Sequence, residues 1–403
     1  MIKTSGFTAS YAAVQAAFWM DLCVALSFAS VYLLGLGYSN SALGLILAAG
    51  NLLAVLLGPG LSSVIDRRED ITAAGVMPYV LAVRFGLLVI LVVFPVKGFV
   101  TTGAFALYIA FSMSVNSLNL KLFVDAGYNG ISINYGVARG MGSLAYVLIS
   151  FVLGFLISNT SIMAVPISAM AIGVFQLAAF LIFKGKTVRA GGFSKADVAA
   201  AQAAAEEPGS SMADFIRENK AFSILLLGTV IVFFSHNTVC NFLINVVENA
   251  GGGTEEMGLL NGFMAAVEIP VMLTYSRFFG KKDPAAMLRF AFIMFTAKAA
   301  AIAAAGYFAM LMGAFVLQAP SFAIYTAAIV PYTERAVSHK DSAKAQSLAF
   351  SMTTFSSVLS GTVSGVLYDN ASVTATLWVS AAVCAVGTLV CLAGLHGSRS
   401  KIM

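Results

Sequence analysis

Five ionisable side chains lie deep inside long apolar runs: Asp21 in FWMDLCVAL, Arg84, Arg139 in NYGVARGMGS, Glu268 in NGFMAAVEIPV and Lys298 in IMFTAKAAAIAA. If these runs cross a membrane, each charge costs at least about 2.5–3.5 kcal/mol there, so each must pair, line a wet cavity, or both. On a helical wheel Phe18, Asp21, Phe28 and Tyr32 share a sector of about 80°, giving one acid on an aromatic face. Such a face suits a planar, hydroxylated ligand, with Asp21 in a substrate or proton-coupling role; the alternative is a structural pair of Asp21 with Arg84 or Arg139. Glu268 has Lys298 as its nearest partner one helix later, and a carboxyl held by a competing cation can carry a proton. The alternative there is a permanent salt bridge. Arg139 stands among Gly136, Ala138, Gly140 and Gly142, where neighbouring helices can approach while its fork reaches a ligand or braces the helices.

Weaker polar signals accompany these. Asn237, Asn241 and Asn245 recur every four residues as a stripe that can bind a polyol or hold helices together. His236 stands beside them, and a histidine, whose ordinary titration is near neutrality, suits proton sensing or a satisfied core position. Asn116 and Asn119 lie a turn apart near Lys121, a lysine expected to snorkel to the surface. Gln318 and Tyr325 share a face at i and i+7. The chain shows no nucleophile–base pairing, metal-ligand spacing or phosphate loop, so no enzyme, metal or cofactor is expected. Cys23, Cys240, Cys384 and Cys391 all fall in apolar runs and read as small core residues.

The elements that must position these groups follow from composition. Of 403 residues 59% are hydrophobic and 10% charged, with a mean hydropathy of +0.90, which leaves too little polar surface to face water on all sides. Apolar runs at 9–36, 41–65, 71–96, 100–122, 132–157, 161–183, 221–247, 255–279, 284–304, 306–332, 343–367 and 372–395 are each long enough to span a bilayer as a helix. The expectation is an all-α membrane protein of twelve spans in two six-helix bundles, 1–183 and 221–403. Residues 184–220 form the linker, with a short amphipathic helix near 195–207. Eighteen of the 23 basic residues fall on one side of these spans and only Lys97 on the other, which predicts cytoplasmic termini in the cell's inner (plasma) membrane. The net charge of +5 is not clustered, so nucleic acid is no partner. A weak repeat relates the halves: Gly44 and Gly258 differ by 214, and Val147/Val358, Leu148/Leu359, Gly154/Gly365 and Leu156/Leu367 by 211. No cleavable signal is evident.

With these stretches in place, the chain resembles the major facilitator superfamily, and within it the lactose permease-like oligosaccharide:proton symporter branch. PGLSSVIDRRED (59–70) resembles its cytoplasmic loop motif, with Ser62 and Glu69 at the glycine positions; NYGVARGMGSLAYVL and AAVEIP resemble the segments holding its sugar-binding arginine and its sugar and proton glutamate; SAKAQSLAFSMTTFSSVLSGTVSGVLYD resembles the start of its span 11. The resemblance implies a proton symporter that carries a small hydroxylated solute by alternating access, Arg139 binding solute and Glu268 coupling protons. Asp66, Arg67 and Arg68, with Glu334 and Arg335, read as cytoplasmic latches. The span 10 histidine and glutamate of that branch have no counterpart in FVLQAPSFAIY, and Lys121 reverses an acidic position. Expected partners are a small-molecule substrate, protons and the bilayer, with the protein a monomer. The alternatives are a proton-driven exporter of amphipathic compounds and an uncoupled receptor or flippase.

Overall fold

The computed structural model describes residues 4–68, 71–190, 210–278 and 282–397, and every described element is helical. Span 1 comprises Thr4–Leu22, a π-helical turn Cys23–Ser27 and Ala29–Gly35; spans 2 to 6 are Asn40–Arg67, Ala73–Val93, Phe99–Tyr128, Tyr135–Asn159 and Ala164–Arg189. Span 7 is Lys220–Asn241 continued by Leu243–Asn249, spans 8 and 9 are Thr254–Phe278 and Pro284–Ala303, and span 10 is Phe308–Phe315 with Ile324–Ala336. Spans 11 and 12 are Ser342–Asn370 and Val373–Gly397.

Eleven described helices are long and apolar enough to cross a membrane. The twelfth, span 11, has 29 residues but is diluted by the hydroxyls of SMTTFSSVLSGTVSG. Its polarity faces inward. Ser356, Ser360 and Ser364 make one buried stripe, where Ser356 Oγ donates to Val230 O at 2.7 Å and Ser364 Oγ shares a 2.6 Å hydrogen bond with Thr238 Oγ1. Small hydroxylated residues are what let membrane helices approach and bond.

Contacts divide the chain into two compact units, Met1–Tyr38 with Ile46–Glu206, and Ser39–Leu45 with Glu207–Met403. In the second unit, spans 7 and 12 meet backbone to backbone. A Cβ added to Gly387 would fall 2.7 Å from Val232 N, and one added to Gly394 would fall 2.8 Å from Leu225 N. Asp369 Oδ1 accepts from Asn40 N at 2.9 Å and Oδ2 from Ser41 N at 2.8 Å, a carboxylate on the unpaired N–H groups that open a helix. The first unit packs around Tyr11, Phe18, Leu118, Leu122, Phe180 and Phe183, all buried.

The linker does not begin at residue 184 as expected, because span 6 continues through KGKTVR to Arg189. The helix expected near 195–207 lies outside the described residues. A different short helix, Met212–Glu218, follows; Ser211 caps it by accepting from Asp214 N, and Phe215 is buried. Ser210 just before it donates through N and Oγ to Asp341 Oδ1 at 3.0 and 2.8 Å. These bonds, the Ser210 hydroxyl first, hold the Asp341 carboxyl down at about 2 against its burial.

Candidate functional site

In the second unit, spans 7, 8, 9 and 10 bring four polar side chains into one chain of contacts. Lys298 Nζ donates to Gln318 Oε1 at 2.8 Å, Gln318 Nε2 donates to Glu268 Oε1 at 2.8 Å, and Lys298 Nζ lies 3.2 Å from His236 Nδ1. Gln318 thus stands between the carboxyl and the ammonium, so the direct Glu268–Lys298 pair of the sequence reading is replaced by a bridge. The amide suits that place, since it offers an acceptor to the cation and a donor to the acid. Lys298 is 3% exposed, whereas Glu268 is only half-buried. Glu268 and His236 at the two ends of the chain of contacts are thus more open than the Lys298 and Gln318 between them.

Local structure aims these groups. Pro320 has no N–H and its ring opposes a regular helix, and span 10 accordingly breaks after Phe315 and resumes through a π-helical turn Ala319–Ala323 directly after Gln318. Such turns recur at functional sites in membrane transporters and elsewhere. Aromatic rings wall the cluster: His236 sits 5.1 Å from the Phe322 ring and 5.7 Å from Phe233, and Lys298 Nζ is 4.8 Å from the Phe295 centroid. Cys240 Sγ lies 3.7 Å from His236 Nε2.

In the first unit Asp21 and Arg84 form a buried ion pair. Arg84 Nη1 donates to Asp21 Oδ2 at 3.0 Å and the Tyr108 hydroxyl donates to Oδ1 at 3.0 Å. Asp21 is 0% and Arg84 1% exposed, and Phe18, Phe28 and Tyr32 are equally buried. The expectation that Asp21 and this aromatic face line a cavity is thus corrected: spans 3 and 4 cover them, and the charge is neutralised where water does not reach. Tyr32 spends its hydroxyl on Leu91 O at 2.7 Å. Asn119, Gln318 and Tyr325, expected to face solute, are also buried; Tyr325 packs 4.9 Å from the Phe233 ring. Asn116 is exposed.

Asp21 is held by Arg84, and Arg139 meets an aromatic ring instead. Its guanidinium lies 3.7 Å over the Trp19 ring and Nη1 donates to Ser143 Oγ at 2.8 Å, leaving the side chain half-exposed. Gly142 makes the stack fit, since a Cβ there would fall 2.5 Å from Trp19 Cδ1. Trp19 was missed in the sequence, although it is one of only two tryptophans and neighbours Asp21. One turn away opens a pocket of about 960 Å³ along spans 1 and 5, lined by Thr8, Ala12, Ala16, Asn134, Val137 and Met141 among others.

The asparagine stripe behaves as interhelical glue. Asn237 Nδ2 donates to Thr353 O at 3.3 Å, Asn241 Nδ2 to Ser357 O at 3.4 Å and Asn245 Nδ2 to Asn40 Oδ1 at 2.7 Å. Lys121 reaches the end of span 2 and pairs there with the exposed carboxylate of Asp66. Arg67, Arg68, Glu334 and Arg335 are exposed.

A family model described as the MFS_1 like family matches residues 22–379. None of the curated proteins compared with the chain matches it. Among solved structures, the nucleoside transporter NupG superposes with a TM-score of 0.75 at 15% identity, covering 98% of this chain and 99% of that one. A POT family transporter in complex with a thioalcohol conjugated peptide gives 0.71 at 12% identity, covering 99% and 96%. A bacterial homolog of the human lysosomal transporter Spinster gives 0.63 at 12% identity, covering 99% and 94%.

Proposed function

Since the chain belongs to the MFS_1 like family, we propose that it is a secondary active transporter that imports a small hydroxylated solute, a nucleoside first among candidates, together with protons by alternating access. The observation that carries this reading is the Glu268–Gln318–Lys298–His236 chain. A carboxyl tied through one amide to an ammonium can switch charge state without leaving either partner bare. Protonation of Glu268 weakens its acceptance from Gln318 and loosens the tie to Lys298; release of the proton restores it. An acid that binds a proton in one conformation and sheds it in another couples the two movements.

Arg139 on Trp19 is the proposed solute contact. A half-exposed guanidinium held flat by an indole presents planar donors to hydroxyls or to a base edge, and the nearby pocket of spans 1 and 5 has room for a nucleoside. The name of the NupG neighbour favours that solute class over an oligosaccharide or glycoside. The eighteen-to-one placement of basic residues supports cytoplasmic termini in the plasma membrane.

The test uses the purified protein in liposomes with radiolabelled uridine. An imposed inward proton gradient should drive accumulation in the parent. Glu268→Gln, which mimics the protonated acid, should keep counterflow exchange but lose accumulation. Full accumulation by Glu268→Gln would sink the assignment, and uptake indifferent to the gradient in the parent would make the protein an uncoupled carrier.

A further inference from the structure

Beside Lys298 and His236 lies a cavity of about 10 Å³ that Ser235, Val239, Ala299 and Cys384 help to line. We propose that this cavity is a binding site for one water molecule, which accepts the third N–H of the Lys298 ammonium and sets the pH at which the proton cluster changes state. The inference rests on the proton-coupling reading of that cluster.

Donors outnumber acceptors around the Lys298 ammonium. An ammonium has three N–H groups and no acceptor. Gln318 Oε1 takes one at 2.8 Å and His236 Nδ1 stands ready for a second at 3.2 Å. The Phe295 ring at 4.8 Å offers a cation–π contact rather than a lone pair. A buried N–H on a charged group that lacks an acceptor is among the costliest omissions in a protein interior. The cavity has the size of one water, which needs roughly 10–15 Å³ and two to four polar partners. Those partners are present. A water accepting from Lys298 can donate to Ser235 Oγ, which shares a 2.8 Å hydrogen bond with Ser380 Oγ, and to Cys384 Sγ, 3.8 Å from the Thr296 hydroxyl that donates to it. The titratable groups facing Lys298 are Glu268 of span 8, His236 and Cys240 of span 7 and Cys384 of span 12. The water thus ties the cation to spans 7 and 12 as Gln318 ties it to span 8.

The full-length protein in detergent tests this without a substrate, through the unfolding temperature measured from pH 5 to 9. Lys298→Met identifies the step in that profile that belongs to the cation. Ala299→Val and, from another helix, Val239→Leu each fill the cavity with apolar volume; Ala299→Ser supplies a hydroxyl in the water's place. Both fillers should move the Lys298 step by about one pH unit or more, the scale of one lost hydrogen bond to a charge, and Ala299→Ser should leave it at the parental pH. A step unmoved in whichever filler folds, or no Lys298 step at all, overturns the water site. Failure of gradient-driven uridine accumulation in the parent defeats the coupling reading instead.

Discussion

Replacing Asp21 by alanine should destabilise the protein by about 3–5 kcal/mol, the cost of stranding one member of a buried ion pair. The structure supports the upper part of that range. Asp21 and Arg84 are 0% and 1% exposed, and the carboxylate also accepts from Tyr108 at 3.0 Å, so its loss leaves a guanidinium and a hydroxyl unmatched. Neutral hydrogen bonds between membrane helices are worth about 0.6 kcal/mol on average and about 1.7 at most, so the size of the effect separates stranded charge from a lost hydrogen bond. The double substitution Asp21→Ala/Arg84→Met removes both charges and should recover most of the loss, because apolar replacement of a buried pair is often neutral. Unfolding of the detergent-solubilised protein, read as a double-mutant cycle, measures this. A single substitution within about 1 kcal/mol of the parent, or a double less stable than either single, would refute the reasoning. A folded double that no longer transports would return Asp21 to the transport machinery.

Three further outcomes are expected. Gly394→Val sets a side chain 2.8 Å from Leu225 N and 2.9 Å from Ala221 O, both backbone atoms that cannot turn away, so it should cost about 1–3 kcal/mol or more; Gly86→Ala, with open space around it, should leave the unfolding temperature unchanged. Arg139→Lys keeps the charge but loses the planar stack on Trp19, and should weaken uridine binding by about 2- to 30-fold, the worth of a cation–π contact, with little change in unfolding temperature; parental affinity would move Arg139 to a bracing role. Asp341, held at about 2 when folded, contributes stability that is complete above its unfolded pKa of about 3.9 and is lost as pH falls through about 2. Asp341→Asn should therefore flatten the fall in unfolding temperature between about pH 4 and 2.

Hydropathy is a local property, so twelve spans and the charges that fall within them were legible from the chain alone. Asp21, Arg84, Arg139, Glu268 and Lys298 stood out because lipid makes any such group conspicuous. Even the possibility of an Asp21–Arg84 pair was there. Tertiary structure alone decided among the alternatives. A helical wheel shows which residues share a face, not what that face meets. Phe18, Phe28 and Tyr32 do share the face of Asp21, but spans 3 and 4 bury it. Gln318 reads as one more polar side chain until the break around Pro320 sets it between Glu268 and Lys298. Trp19 acquires its role only because Gly142, 123 positions later, lacks a Cβ and lets the indole lie flat beneath Arg139. In lipid, composition dictates that a segment spans and that its charges find company; which company is set by close packing between segments distant in the chain, where a single glycine or proline changes the answer.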